Sequence, residues 1–448
     1  MKKTTTAKQK RLQQSKKILA AVKAYARLDR QAGTFRPGQD RVHYAGRVFD
    51  HQEITAMVKA SLDSWVTVGP YGEELERALS RWLGVRNVIL VNSGSSANLL
   101  AVAALCDPKL PNRLKAGDEV ITPAVTFPTT VAPLLQHQLV PVFVDSRLED
   151  YNIDISLLER ALTAKTRAIM VPHTLGNPCH LERLVQLARR YRLFLIEDNC
   201  DALGSKYQGR LTGTFGELAT LSFYPAHHMT MGEGGAVITN DPRLARIVRS
   251  LRDWGRDCWC GHDAGPHGAC GKRLQYKIEG LGEAYDHRYV YTHIGYNLKP
   301  TDLQAALGLA QLKKVPGFIK ARRRNFTELS RRLAPFERWL ILPQPAPHSE
   351  PAWFAFPITV REDAGFSRQT LQSFLEERRI ETRLLFAGNI VRQPAFRSTK
   401  YRVYGGLKNA DMIMRRTFFI GVYPGLRSSH LRYIASVFGE FFKNRKRT

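Results

Sequence analysis

The chain has 448 residues, 44% of them hydrophobic and 24% charged, with a formal net charge of +27. That is globular composition, long enough for one large and one smaller domain. No apolar run reaches the roughly 18–20 residues that span a bilayer, so no transmembrane segment is expected.

The N-terminus lacks the apolar core and cleavage site of a signal peptide, so the expected location is cytoplasmic. Residues 1–30 hold ten Lys/Arg against Asp29, and the chain closes Lys443-Asn444-Arg445-Lys446-Arg447. Nucleic acid or an anionic membrane would suit such charge. No aromatic-interleaved basic motif or nucleic-acid module accompanies it, however. The expectation is a solvated tail on a basic fold that takes an anionic substrate, with no nucleic acid as partner.

Residues 12–30 read as a basic amphipathic helix, with Leu12, Ile18, Leu19, Val22 and Tyr25 toward one side. Residues 31–50 are Gly/Pro-punctuated and extended, and 51–84 are helical again, ending near Gly84. Short apolar runs then follow at Val88–Val91, Glu119–Thr122, Val140–Val144, Ala168–Val171, Leu193–Ile196, Ala219–Phe223 and Gly235–Thr239. Helical segments separate most of them. Seven buried strands alternating with helices predict an α/β domain on a mainly parallel sheet. Ligands on such sheets gather at the carboxyl ends of strands, where loops 92–96, 123–130, 173–178, 198–204 and 224–235 fall. From about 321 the pattern changes to helix, strand (Phe354–Val360) and helix (Arg368–Arg379), a smaller α+β domain. The expected division is 1–50, 51–320 with a Cys-rich loop at 257–273, and 321–448.

Asn92-Ser93-Gly94-Ser95-Ser96-Ala97-Asn98 follows a strand and opens a helix. Small residues there let the backbone approach an anion, and the helix N-terminus favours negative charge. Gly94 and Ser95 are thus candidate phosphate ligands, against the simpler reading of a Ser-rich cap. Asp198 follows a buried strand, where a carboxylate can pair with a protonated ring nitrogen; a helix-capping Asp is the plainer alternative. Phe127 can stack on a flat ring or serve as core. Then comes Ser222-Phe223-Tyr224-Pro225-Ala226-His227-His228-Met229-Thr230-Met231-Gly232-Glu233-Gly234-Gly235. It has the shape of a vitamin-B6 cofactor loop, but His227 stands where a cofactor-tethering lysine belongs. No lysine occurs between Lys206 and Lys272.

Six cysteines in such a chain argue against a disulfide framework. Cys200, Cys258, Cys260 and Cys270 include three within thirteen residues of a Gly-rich loop. An iron–sulfur cluster, zinc (with His262 and His267 nearby) and unrelated thiols all remain open from the residues alone. Cys106 and Cys179 read as core or loop residues.

In this order the cup, the Glu197-Asp198 acids, Ser222 and Gly295-Tyr296-Asn297…Thr301-Asp302-Leu303-Gln304-Ala305-Ala306 resemble the DegT/StrS-type nucleotide-sugar aminotransferases. These are fold type I of the pyridoxal-phosphate enzymes, and the resemblance covers roughly residues 50–440. It implies Ser222 as a phosphate ligand and an obligate homodimer in which Asn297 reaches the neighbouring subunit's phosphate. A histidine at position 227 resembles the sugar 3-dehydrase branch, which holds pyridoxamine phosphate noncovalently. The resemblance implies His227 as the base, with Asp201 and Tyr224 close to it and tuning it; His228 reads as structural. An imidazole with an unperturbed pKa near about 6.5 suits that role.

The branch acting on CDP-4-keto-6-deoxyglucose carries a [2Fe–2S] cluster on Cys-x57-Cys-x-Cys-x7-Cys. Cys200, Cys258 and Cys260 reproduce the first two spacings, and Cys270 comes two residues late. The resemblance therefore implies a CDP-linked 4-keto-6-deoxyhexose substrate and an iron–sulfur cluster. It also implies a separate NAD(P)H-dependent iron–sulfur flavin reductase, and a role in making 3,6-dideoxyhexoses of lipopolysaccharide O-antigens. No dinucleotide-binding Gly-x-Gly-x-x-Gly occurs here, so the reductase is a second protein. The segment Arg383–Asn389 is similar to the substrate-proximal loop of this branch. Two alternatives stay open. One is a cluster-free dehydratase of GDP-4-keto-6-deoxymannose type; the other is an inactive nucleotide-sugar-binding or regulatory relative.

Overall fold

The computed structural model describes residues 2–28, 34–258, 274–275, 277–283 and 285–443. Cys260 and Cys270 lie outside the described residues.

All seven expected strands form. They are β1 (Asn87–Val91), β2 (Glu119–Pro123), β3 (Val140–Val144), β4 (Thr166–Pro172), β5 (Phe194–Asp198), β8 (Leu218–Ser222) and β9 (Gly235–Thr239); a small hairpin, β6 (Lys206–Tyr207) and β7 (Arg210–Leu211), interrupts the series. Together with an eighth, β14 (Arg402–Val403), they make one sheet in the order β1-β9-β8-β5-β4-β2-β3-β14. Every pair is parallel except those of β9, which runs antiparallel between β1 and β8. β2, β3, β8 and β9 are buried at every position. That is why they read as continuous apolar runs, with helices covering both faces. The edge strand β14 has only two residues and left no such run. Arg402 ties it down through a forked pair to Glu119 (Nε–Oε1 3.0 Å, Nη2–Oε2 2.8 Å).

A second sheet joins β10 (Leu340–Ile341), β12 (Ala355–Val360), β13 (Arg383–Leu384) and β15 (Thr417–Gly421). A third pairs β11 (Ser349–Glu350) with the β6–β7 hairpin. The second sheet and the helices Val315–Leu333, Arg368–Glu377 and Ser428–Lys443 share one apolar core, including Phe356, Phe418 and Phe438.

Two N-terminal expectations change. Residues 51–84 form two helices, His51–Asp63 and Pro70–Leu83. Ser64 at φ 62° ends the first, and Asp302 accepts the backbone N–H groups of Gly69 and Gly72 (2.8 and 2.9 Å) to start the second. The first helix of the chain begins at Lys2 rather than near 12 and runs to Leu28. Its more protected side carries Leu19, Val22 and buried Ala26, whereas Leu12, Ile18 and Tyr25 are exposed. The extended segment that follows returns to the second sheet, where Val42 bridges to Ile380 in parallel. No described helix is long and apolar enough to cross a membrane.

Candidate active site

The carboxyl ends of β1, β4, β5 and β8 open into one cavity of about 410 Å³. Gly94, Ser95, Phe127, Asp198, Cys200, Asp201, Ser222, Tyr224 and His227 all line it. The structure therefore brings together nine of the expected site residues. Asn297 is exposed and pairs with Asp253 outside this cavity, and Cys258 also lies away from its walls.

The cup is built by close packing. Ser93 caps the helix Gly94–Leu105, its hydroxyl accepting the Ser96 N–H at 3.1 Å. Gly94 and Ser95 line the cavity, and their first-turn N–H groups have no intrahelical acceptor by geometry. A Cβ on Gly94 would lie 2.5 Å from Ser222 Cβ, 2.9 Å from Ser222 Oγ and 3.1 Å from Cys200 Sγ. Only glycine lets the serine, the cysteine and the helix start converge. A phosphate fits this cradle of hydroxyls and free N–H groups.

Asp198 lines the same cavity. Its Oδ2 accepts Asn98 Nδ2 at 2.8 Å and Thr130 Oγ1 at 2.7 Å, and its Oδ1 accepts the Cys200 N–H at 3.2 Å. Thr220 donates to Asn98 Oδ1 at 2.7 Å and so orients that amide. A carboxylate fixed by three donors at a strand end suits a cationic ring nitrogen. Glu197, one residue earlier, points to the other face of the sheet by strand alternation. There it accepts N–H groups from Gly213, Phe215 and Gly216, and His173 Nε2 at 3.0 Å. Because His173 Nδ1 accepts the Cys179 N–H, Nε2 carries the proton.

His227 sits in the turn after β8, closed by its own N–H to Tyr224 O at 3.0 Å. Its Nδ1 lies 3.4 Å from Asp201 Oδ1, without hydrogen-bond alignment. Burial lowers the His227 pKa to about 4, with the Arg322 cation adding to it. Burial, with the neighbouring Asp198 charge, raises Asp201 to about 8. The imidazole is therefore neutral near pH 7. Tyr224 is half exposed, its ring edge-on to His227 at 6.4 Å, so any influence on the imidazole is by ring contact. His228 is buried and bonds Ala352 O through Nε2, a packing role. Burial pushes the Cys200 thiol well up, aided by Asp198; its Sγ lies 3.8 Å from Thr220 Oγ1.

Several lining or supporting residues escaped the sequence reading. Arg322 is 1% exposed and gives its guanidinium to the carbonyls of Trp353, Phe354, Ala226 and His227. It holds the His227 turn against the second sheet, and burial lowers its pKa to about 10. Phe354 places its ring 5.4 Å from the imidazole. Arg322 lies in a helix rich in Lys/Arg, so nothing in sequence sets it apart. Thr130 had a weak signal in the expected loop 123–130 after β2; it falls in the first turn of the helix Pro128–Gln136.

The mainly parallel sheet, its strand-end cavity and the cup-and-carboxylate arrangement define a pyridoxal-phosphate-dependent fold. The chain belongs to the DegT/DnrJ/EryC1/StrS aminotransferase family, whose pattern matches residues 49–438. It is 52% identical over 409 residues to the lipopolysaccharide biosynthesis protein RfbH of Salmonella typhimurium, covering 91% of this chain and 93% of that one. It is 50% identical over 426 residues to the dTDP-4-dehydro-2,6-dideoxy-D-glucose 3-dehydratase of Saccharopolyspora spinosa, covering 95% and 91%. Among solved structures, GDP-4-keto-6-deoxymannose-3-dehydratase with a trapped PLP-glutamate geminal diamine superposes with a TM-score of 0.80 at 30% identity, covering 88% of this chain and 99% of that one.

Proposed function

We propose that this chain is a pyridoxamine-phosphate-dependent 3-dehydratase of a nucleotide-linked 4-keto-6-deoxyhexose, acting in O-antigen dideoxysugar synthesis. One observation carries this reading. The cavity of a lysine-tethered cofactor family presents His227, neutral and 3.4 Å from Asp201, where the tether would stand. The name of the Saccharopolyspora spinosa relative supports the same chemistry, and that of the Salmonella relative supports the lipopolysaccharide context.

Gly94, Ser95 and Ser222 would hold the phosphate, Asp198 the ring nitrogen and Phe127 the ring face. Pyridoxamine phosphate, when bound, would supply an amine for the 4-keto carbon and, once deprotonated, the electron pair that expels the C3 hydroxyl. Asp201 Oδ1 stands 3.4 Å from His227 Nδ1, and the neutral imidazole can take a proton and later deliver it to the departing hydroxyl. Arg322 keeps that turn in place, and Phe354 keeps water from one face of the imidazole.

The full proposal adds a [2Fe–2S] cluster on Cys200, Cys258, Cys260 and Cys270, a separate NAD(P)H-dependent reductase, a homodimer, and CDP as the nucleotide. Cys200 on the cavity wall supports the cluster's placement, because electrons are needed there to finish the deoxygenation. The decisive experiment is an anaerobic assay of the purified protein with pyridoxamine phosphate and the CDP-, dTDP- and GDP-linked 4-keto sugars, with iron and zinc determinations. Loss of the C3 hydroxyl from the CDP sugar, by a protein holding iron and acid-labile sulfide, is expected. Stoichiometric zinc in a colourless protein would sink the cluster, and inertness toward all three sugars would sink the dehydratase. The similarity to a structure trapped with glutamate favours a second reading: a cluster-free enzyme that regenerates its cofactor from glutamate. Sustained turnover with glutamate and no reductase would establish it.

A further inference from the structure

The cavity has a wall that the family pattern does not reach. Tyr44 lines it, yet the family match begins at residue 49. Three interactions place this tyrosine. Val42 inserts beside Ile380, its N–H on Arg379 O (2.8 Å) and its carbonyl taking the Glu381 N–H (2.9 Å). The Glu381 carboxylate then gathers Arg41 (3.2 Å), His43 Nδ1 (3.2 Å) and the Tyr44 N–H (3.3 Å). Finally, a Cβ on Gly421 would lie 2.5 Å from Tyr44 O and 2.7 Å from His43 O, so glycine there lets the segment lie flat on β15.

The Tyr44 ring carries the Arg383 guanidinium, whose central carbon stands 4.3 Å from the ring centroid. Arg383 is exposed on β13 and spends one N–H on Thr382 O (2.7 Å). It is the single Lys or Arg among the described residues lining the cavity, whose acids are Asp198, Asp201 and Glu233. An anionic diphosphate entering a cavity that holds the Asp198 and Glu233 carboxylates requires a cation. A guanidinium braced on an aromatic face keeps its fork of donors oriented toward paired phosphate oxygens.

We infer that Tyr44 and Arg383 form the subsite for the substrate's diphosphate, with Tyr44 as the positioning residue and the N-terminal segment as part of the substrate site. This rests on the nucleotide-sugar reading above. The test is calorimetric binding of CDP, dTDP and GDP, and separately of pyridoxamine phosphate, to the full-length enzyme. The variants are Arg383→Ala, Arg383→Lys, Tyr44→Ala and Tyr44→Phe. Arg383→Ala is expected to weaken the bound nucleoside diphosphate about tenfold or more, the scale of a lost charge-assisted hydrogen bond. Tyr44→Ala is expected to weaken it about threefold, the scale of a lost exposed cation–π contact. Tyr44→Phe is expected to leave it unchanged and Arg383→Lys to restore it in part. With substrate, both alanine variants should raise KM more than they lower kcat, and pyridoxamine-phosphate affinity should stay constant. If the wild type binds a nucleoside diphosphate and folded Arg383→Ala binds it equally well, the subsite is overturned while the nucleotide-sugar reading stands. A proportional loss of pyridoxamine-phosphate affinity in Arg383→Ala also overturns it, because the cation would then serve the cofactor. Absence of binding of any nucleoside diphosphate to the wild type overturns both.

Discussion

At residue 227 one side chain separates two kinds of chemistry. Lysine can bond covalently to pyridoxal phosphate; imidazole cannot, but it can move protons from a neutral form. In the structure burial keeps His227 neutral, and Asp201 faces its Nδ1. His227→Lys is expected to leave cofactor on the chain after borohydride reduction and to abolish dehydration. The masses of the reduced protein and a single-turnover assay check this, and undiminished dehydration would remove His227 as the base. Gly94 is as exacting in a different way. Its missing Cβ allows Ser222 and Cys200 to approach the same helix start. Asp198 was legible from its place after a buried strand. Arg322 was not: its role comes from four carbonyls that meet only in the folded chain.

At the scale of elements, burial on both faces made seven strands readable as apolar runs. β14 was unreadable because two edge residues carry no periodicity. It is held instead by charge, and this gives it a pH dependence. Burial tends to raise Glu119, but the hydrogen bonds from Arg402 and Thr163 outweigh it, and the net pKa is lowered. A depressed carboxylate contributes stability above its unfolded value of about 4.3, and that stability is lost as pH falls through the folded value. Thermal melts of the wild type and Arg402→Ala should therefore differ by about 2 kcal/mol at neutral pH and converge on acidification below about pH 4. A constant gap across that range would mean that Arg402 acts by packing alone. The N-terminal helix shows the opposite limit of pattern reading. Its charge made amphipathicity easy to see, but Leu12, Ile18 and Tyr25 stay outside because the helix His51–Asp63 meets the side bearing Leu19, Val22 and Ala26.

At the scale of the whole molecule, the cavity gathers stretches far apart in sequence, within residues 93–98, 127–130, 172–173, 198–233, 354–386 and at Phe419, with Tyr44 from before the family match. Asn297 is exposed and outside this cavity. If two subunits share their sites as proposed, Asn297→Ala should weaken pyridoxamine-phosphate binding at least severalfold although it touches nothing in its own cavity. Equilibrium titration, with sedimentation to check the dimer, tests this. Unchanged affinity in an intact dimer would confine the site to one chain.

The sequence by itself determined the α/β class, the strand-end location of the site and most of its polar residues. Strand burial, glycine placement and the absent lysine are local signals, each written in a few consecutive residues. The tertiary structure decided the rest. It set the pairing of His227 with Asp201 across a loop, the buried guanidinium beneath them, and the N-terminal strap that carries Tyr44 under Arg383. Those contacts depend on which distant surfaces are buried together, and burial between remote segments leaves no period in the chain.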